Sequence, residues 1–144
     1  MILYLGSDHR GYELKQKIKK WMDEKKIDYT DLGSFSTKSV DYPDIAREVS
    51  EKVHETKEFG ILICASGQGM AMSANKAIDG VRAALCNNKE MAIRARQHNN
   101  ANVCTLGSEF INEKQAIEII DAFLTTDFEG GRHEIRVQKM GKKV

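Results

Sequence analysis

The sequence predicts an α/β fold: a Rossmann-like three-layer α/β/α sandwich around a five-stranded parallel sheet. Short apolar runs alternate with amphipathic helical stretches from one end to the other. That alternation requires crossover connections, and hence parallel strands with helices on both faces. The third run, Ile61-Leu62-Ile63-Cys64, is apolar at consecutive positions, as a strand buried on both faces must be. It passes through a turn of small residues, Ala65-Ser66-Gly67-Gln68-Gly69, into the helix-compatible segment Met70–Lys76. A strand, a glycine turn and a helix aim backbone N–H groups and a helix N-terminus at one point, a geometry suited to anions.

Each element follows from its local pattern. Ile2–Gly6 is a first buried strand, running into the polar turn Ser7–Gly11. Leu14, Ile18, Trp21 and Met22 recur at helical spacing and predict a helix over Tyr12–Lys25. Asp28–Leu32 is a weak second strand, and Gly33–Pro43 a loop. Ile45, Ala46, Val49 and Val53 mark a second helix with Asp44 near its start. After the central strand and turn, Val81–Leu85 is a fourth strand. Lys89–Gln97 is a helix packed through Met91, Ala92 and Ala95 and ended by His98-Asn99-Asn100. Asn102–Leu106 is a fifth strand. A long helix is lined by Ala116, Ile117, Ile119, Ile120, Phe123 and Leu124, and the tail from Phe128 to Arg136 is polar and basic.

The chain of 144 residues suits one domain, and 41% hydrophobic residues supply a core. Twenty-two basic and 21 acidic residues leave a net charge of +1, which argues against a nucleic-acid or membrane-surface binder. No apolar run approaches the ~20 residues that span a bilayer. Three widely spaced cysteines, with no CxxC pair, suggest neither a disulfide framework nor a zinc knuckle. A cytoplasmic, reduced protein is expected.

Ligands of open parallel sheets bind outside the carboxyl ends of the strands. Asp8 and His9 follow the first strand and Cys64–Gly69 the third, so they are expected on one rim. Cys64 reads either as a packing thiol or as a functional one, its thiolate favoured by the helix N-terminus beside it. Cys86 and Cys104 read as packing. Gly67 and Gly69 alone are weak evidence for a nucleotide, and neither GxGxxG nor GxxxxGK[ST] is present. Asp8-His9 reads equally as a helix-capping pair. His98 precedes the fifth strand and belongs at the opposite edge of the sheet, so it is either unrelated to Cys64 or supplied by a second subunit. Arg132 and Arg136, four apart, share a face on a helix and read as a solvated face or as an anion clamp.

Ser7-Asp8-His9, Asp41-Tyr42-Pro43, Gly60–Cys64, Gly67-Gln68-Gly69, Ala74-Asn75-Lys76, Arg96–Asn99, Asn102-Val103 and Gly130–His133 occur in order over nearly the full length. Together they resemble ribose-5-phosphate isomerase B, a family that includes the galactose-6-phosphate isomerase subunits. The resemblance implies reversible interconversion of ribose 5-phosphate and ribulose 5-phosphate in a homodimer with shared sites, without metal or other cofactor. It also implies that the tail, about 126–144, reaches the partner. On these residues it makes Cys64 the base and sets Ser66, where the family usually has threonine, beside the reacting oxygens. His98 and Asp8 assist ring opening. His9, Arg132 and Arg136 grip phosphate, Tyr42 walls the site, Asn99 contacts the sugar, and Ala65, Gly67, Gln68 and Gly69 line it. Ala65 replaces a usual glycine, and Glu109 stands where many members carry arginine. Both bear on which sugar is preferred, with a hexose 6-phosphate as runner-up. A non-catalytic sugar-phosphate-binding module is a further alternative. A cysteine phosphatase would want an arginine where Met70 stands.

Overall fold

The apolar runs pair into a single parallel sheet of order β2-β1-β3-β5-β4. Its strands are β1 (Leu3–Ser7), β2 (Tyr29–Asp31), β3 (Phe59–Cys64), β4 (Ala83–Leu85) and β5 (Val103–Gly107). The computed structural model describes residues 1–141; the last three residues of the predicted tail, 142–144, lie outside it. The helices are α1 (Tyr12–Lys25), α2 (Tyr42–Thr56), α3 (Gln68–Ala77), α4 (Lys89–Asn99), α5 (Glu113–Thr125) and α6 (Arg132–Lys139). One face of the sheet buries Leu14, Ile18 and Met22 of α1, Ala92 and Ala95 of α4, and Ile119, Ile120 and Phe123 of α5. The other buries Ala46, Val49 and Val53 of α2 with Met70 and Ala74 of α3. These are the two outer layers of the predicted sandwich.

Several boundaries move for identifiable reasons. Helix α2 starts at Tyr42, because Asp41 adopts an extended N-cap conformation and Pro43 falls in the first turn, where its missing N–H costs nothing. Helix α3 takes in Gln68 and Gly69, so the turn proper is Ala65–Gly67. Helix α5 starts before its apolar stripe, at a capping box in which Asn112 and Gln115 satisfy each other's backbone N–H. His98 lies inside the last turn of α4, and the left-handed Asn100 ends it. Met91 does not pack as expected: it is exposed, and Ala92 and Ala95 carry the buried face. Part of the polar tail forms α6, which docks on α4.

Two buried cations organise the ends of the sheet. Arg96, in α4, donates to Thr126 O (3.2 Å), Asn100 Oδ1 (3.0 Å) and Ala101 O (2.6 Å), and its guanidinium lies over the rings of Phe59 and Phe123. Lys15, fully buried in α1, donates to Asp31 Oδ1 (2.7 Å) and Ser34 O (2.5 Å), while Lys19 takes Asp31 Oδ2 (2.8 Å). Burial pushes the Lys15 ammonium down. Burial also opposes the charge on Asp31, but hydrogen bonds from Lys15, Lys19 and the Gly33 N–H outweigh it and hold that carboxyl below its ordinary range.

Removing one partner of this network leaves a charge stranded. Asp31→Ala should lower stability by about 3–5 kcal/mol, and pairing Asp31→Leu with Lys15→Met should cost much less. Urea denaturation of the three proteins distinguishes these outcomes. Because the folded-state pKa of Asp31 is depressed, its contribution is complete above the unfolded value of about 3.9 and is lost as pH falls through the lower folded value. The gap between wild type and Asp31→Ala should therefore narrow only in strong acid.

Candidate active site

The chain steps from β1 outward to β2 and then crosses back over β1 to β3, so the sheet order reverses between β1 and β3. A crevice opens at such a switch point. Here it is bounded by the loops after β1, β3 and β5 and by the start of α2 and α3. Asp8 N–H donates to Ile63 O (3.1 Å), which locks the loop after β1 against the end of β3. The loop after β5 closes the third side: Ser108 N–H donates to Cys64 O (2.9 Å), Glu109 N–H to Ala65 O (3.0 Å) and Ser108 Oγ to Arg10 O (2.9 Å).

Cys64 lies at the floor of this crevice, 5% exposed. Its Sγ accepts the Gly67 N–H at 3.2 Å. Gly67 is the N-cap of α3 with φ +77°, a conformation that a Cβ would strain, and the Cβ would also stand 2.9 Å from the Leu106 carbonyl carbon. Buried Thr105 fixes the same peptide from below, donating to Gly67 O at 2.9 Å. The first intrahelical bond of α3 runs from Ala71 N–H to Gly67 O. The N–H groups of Gln68, Gly69 and Met70 precede it, and face the helix N-terminus with its positive dipole end. Ser66, half-buried beside them, accepts the Gln68 N–H at 3.4 Å. The ring of Tyr42 covers Gly69 so closely that a Cβ there would meet it at 2.7 Å.

Asp8 does not cap α1, whose N-cap is Gly11 without a side-chain bond; its Oδ1 instead accepts the N–H of Arg10 (2.9 Å) and Gly11 (3.0 Å) within the turn before the helix. These bonds hold the carboxylate in the loop that Asp8 N–H ties to the end of β3. His9 Nδ1 accepts the Val40 N–H at 3.3 Å. That bond ties the His9 ring to the loop before α2. Arg10 and Glu109 pair across the rim, both half-exposed on their side chains. Sequence reasoning singled out neither Thr105 nor Ser108 and did not foresee the Arg10 partnership. A threonine inside an otherwise apolar strand was the available signal for the first.

His98, Asn99, Arg132 and Arg136 stand elsewhere. They precede β5 or follow α5, at the amino edge of the sheet, whereas Cys64 ends β3 at its carboxyl edge. Roughly 15–20 Å of strand lies between the two rims. His98 stacks on His133 with ring centroids 4.5 Å apart, and Glu129 N–H donates to Gln97 O (3.1 Å), tying the tail to α4. Arg132 and Arg136 are exposed one turn apart on α6, and Asn99 faces a cleft of about 790 Å³ that it shares with Arg82 and Glu134. Cys86 and Cys104 are buried. Contact with the Cys86 thiol, then burial, push the Cys104 thiol well above its ordinary range, which fits two packing thiols. No helix among the described residues is long and apolar enough to cross a membrane.

The ribose/galactose isomerase family profile matches residues 3–140. The chain belongs to the ribose/galactose isomerase family. Membership makes it a sugar isomerase, as the sequence resemblance implied. Ribose-5-phosphate isomerase B of Listeria innocua is 43% identical, with 97% of this chain and 95% of that protein covered. The crystal structure of the ribose 5-phosphate isomerase of Thermotoga maritima matches with a TM-score of 0.93 at 45% identity, covering 96% of this chain and 95% of that one. The Mycoplasma genitalium ribose-5-phosphate isomerase B, solved with bound ribulose 5-phosphate, matches with a TM-score of 0.91 at 42% identity over 96% of this chain and 93% of its own.

Within this family fold the turn after β3 tolerates little. Gly67→Ala should cost at least the ~1–2 kcal/mol of a left-handed non-glycine residue, plus the displacement of the Leu106–Gly107 peptide. Urea denaturation measures the loss, and a stability equal to wild type would refute the strain argument.

Proposed function

We propose that this chain is a homodimeric isomerase that interconverts ribose 5-phosphate and ribulose 5-phosphate through an enediolate, acting in the cytoplasm. The observation that carries the reading is Cys64 Sγ at the Gly67 N–H, beside the N-terminus of α3. An aldose–ketose isomerase needs one base that takes a proton from one carbon and returns it to its neighbour. It also needs N–H donors where the oxyanion develops. Both occur within one turn of this chain.

In the proposed sequence, His98 and Asp8 assist opening of the furanose ring by moving a proton from the anomeric hydroxyl to the ring oxygen. The Cys64 thiolate takes the C2 proton of the open aldose. The C2–H electrons form the C1–C2 double bond, and the carbonyl electrons move to O1. The 65–70 turn and Ser66 stabilise the enediolate. The thiol returns the proton to C1, the hydroxyl proton of O2 leaves for O1, and the C2 carbonyl forms. His9, Arg132 and Arg136 hold the phosphate, Tyr42 walls the pocket and Asn99 contacts a sugar hydroxyl. Holding the phosphate at one end positions the reacting carbons at the other.

His98 and Cys64 stand at opposite rims of one chain. The proposal therefore takes Asp8, His9, Tyr42 and residues 64–69 from one protomer, and His98, Asn99, Arg132 and Arg136 from its partner. The tail, 126–144, supplies the two arginines across the two-fold axis. Glu109 is not a bare acid at the rim, because Arg10 engages it. That pairing lessens its repulsion of a phosphate and supports the pentose over a hexose 6-phosphate.

Folded, dimeric Cys64→Ala should lose about 10²–10⁴-fold in turnover of ribose 5-phosphate. His98→Ala should also be impaired. Mixing the two inactive homodimers under subunit exchange should restore activity, because each heterodimer regains one intact site. Statistical exchange makes half the dimers mixed, so about a quarter of the sites become competent. Absence of recovery after verified exchange would place both residues in one chain's site. A panel of hexose 6-phosphates run beside ribose 5-phosphate decides the substrate, and saturable binding without turnover of any sugar would favour the binding module.

A further inference from the structure

The amino rim carries a donor set that the proposed isomerisation does not use as such. His98, His133 and Glu129 bring one ligand atom each to within 4.8 Å of one another. His133 is buried, and its Nε2 stands 3.4 Å from Glu129 Oε2. Ligands at roughly 2.0–2.1 Å from a tetrahedral ion stand about 3.3–3.4 Å apart, so this pair already has the spacing of two zinc ligands. The rings of His98 and His133 lie within 14° of parallel. Convergence on one ion therefore needs His98, the more exposed of the two, to turn about its Cβ–Cγ bond while His133 stays. Two imidazoles and a carboxylate suit borderline divalent ions such as Zn²⁺, Co²⁺ and Ni²⁺ far better than Mg²⁺.

We infer that His98, His133 and Glu129 form a site for a Zn²⁺-class ion, and that its occupation switches the isomerase off by holding His98. The three protein ligands leave a fourth position to water. Coordination uses the lone pair of each imidazole, and a proton present on that nitrogen passes to solvent. Neighbouring Arg132, Arg136 and the N-terminus of α6 oppose a cation, so the ion is exchangeable and acts as an inhibitor. Its inhibitory effect rests on the role proposed for His98; its binding does not.

The test uses the metal-stripped full-length protein. Co²⁺ titration should develop visible d–d bands that saturate at one ion per chain and vanish on addition of Zn²⁺. These bands should persist in Cys64→Ala. Glu129→Gln, which lies outside the proposed catalytic set, should keep metal-free turnover and weaken Co²⁺ binding by about tenfold or more. Zn²⁺ should inhibit wild-type turnover, a chelator should restore it, and Glu129→Gln should need correspondingly more Zn²⁺. Mg²⁺ should do nothing. A sulfur-to-cobalt charge-transfer band that disappears in Cys64→Ala, with no d–d bands remaining, would assign the ion to Cys64 and overturn the proposal. Unchanged Co²⁺ affinity in Glu129→Gln would also overturn it. Failure of the isomerase reading is visible separately, as absent turnover in the metal-free wild type, while the Co²⁺ bands still decide the site.

Discussion

The turn from Cys64 to Gly67 has no slack, and the rest of the carboxyl rim is arranged around that fact. A fully buried strand must give way to a helix within three residues, and the helix must present its N-terminus back over the strand end. Only a left-handed residue at Gly67 achieves this, with Thr105 bound to its carbonyl and Cys64 Sγ to its N–H. The loops after β1 and β5 then have fixed backbone to bond: Asp8 to Ile63, Ser108 to Cys64, Glu109 to Ala65. Each of these contacts is main-chain at the acceptor end, so the crevice is shaped by backbone, which side-chain substitution alters least.

Strand and helix identities were legible because their signals are local. The apolar run at Ile61–Cys64 and the helical spacing of Leu14, Ile18 and Met22 are visible within a few residues, and both elements formed as expected. Where local signals compete, the boundaries moved. Gln68 and Gly69 look like turn residues by composition, yet the packing of Tyr42 on Gly69 draws them into α3. Met91 fits the apolar spacing of α4, but Ala92 and Ala95 already fill the narrow space against the sheet, so the larger side chain lies outward.

The candidate site was legible in two halves of different character. Asp8, Cys64 and the glycine turn follow neighbouring strands, so topology alone predicts that they meet. The arrangement of the other half depends on side chains distant in sequence. Stacking of His98 on His133 requires α6 to fold back on α4 through the Glu129–Gln97 backbone contact. No periodicity in a basic tail announces that contact. The Arg10–Glu109 pair was hidden in the same way, because its partners are brought together only by the adjacency of the loops after β1 and β5.

Arg96 sets the character of the amino rim. Its charge is met by carbonyl and amide oxygens and by two aromatic faces rather than by a carboxylate. Carbonyl and amide oxygens take up no proton in the range where carboxylates do, and a guanidinium loses none there. The joint between α4 and β5 therefore holds without an acidic partner. Mild acid, which dissolves ion pairs by protonating their carboxylates, leaves this corner of the amino rim intact.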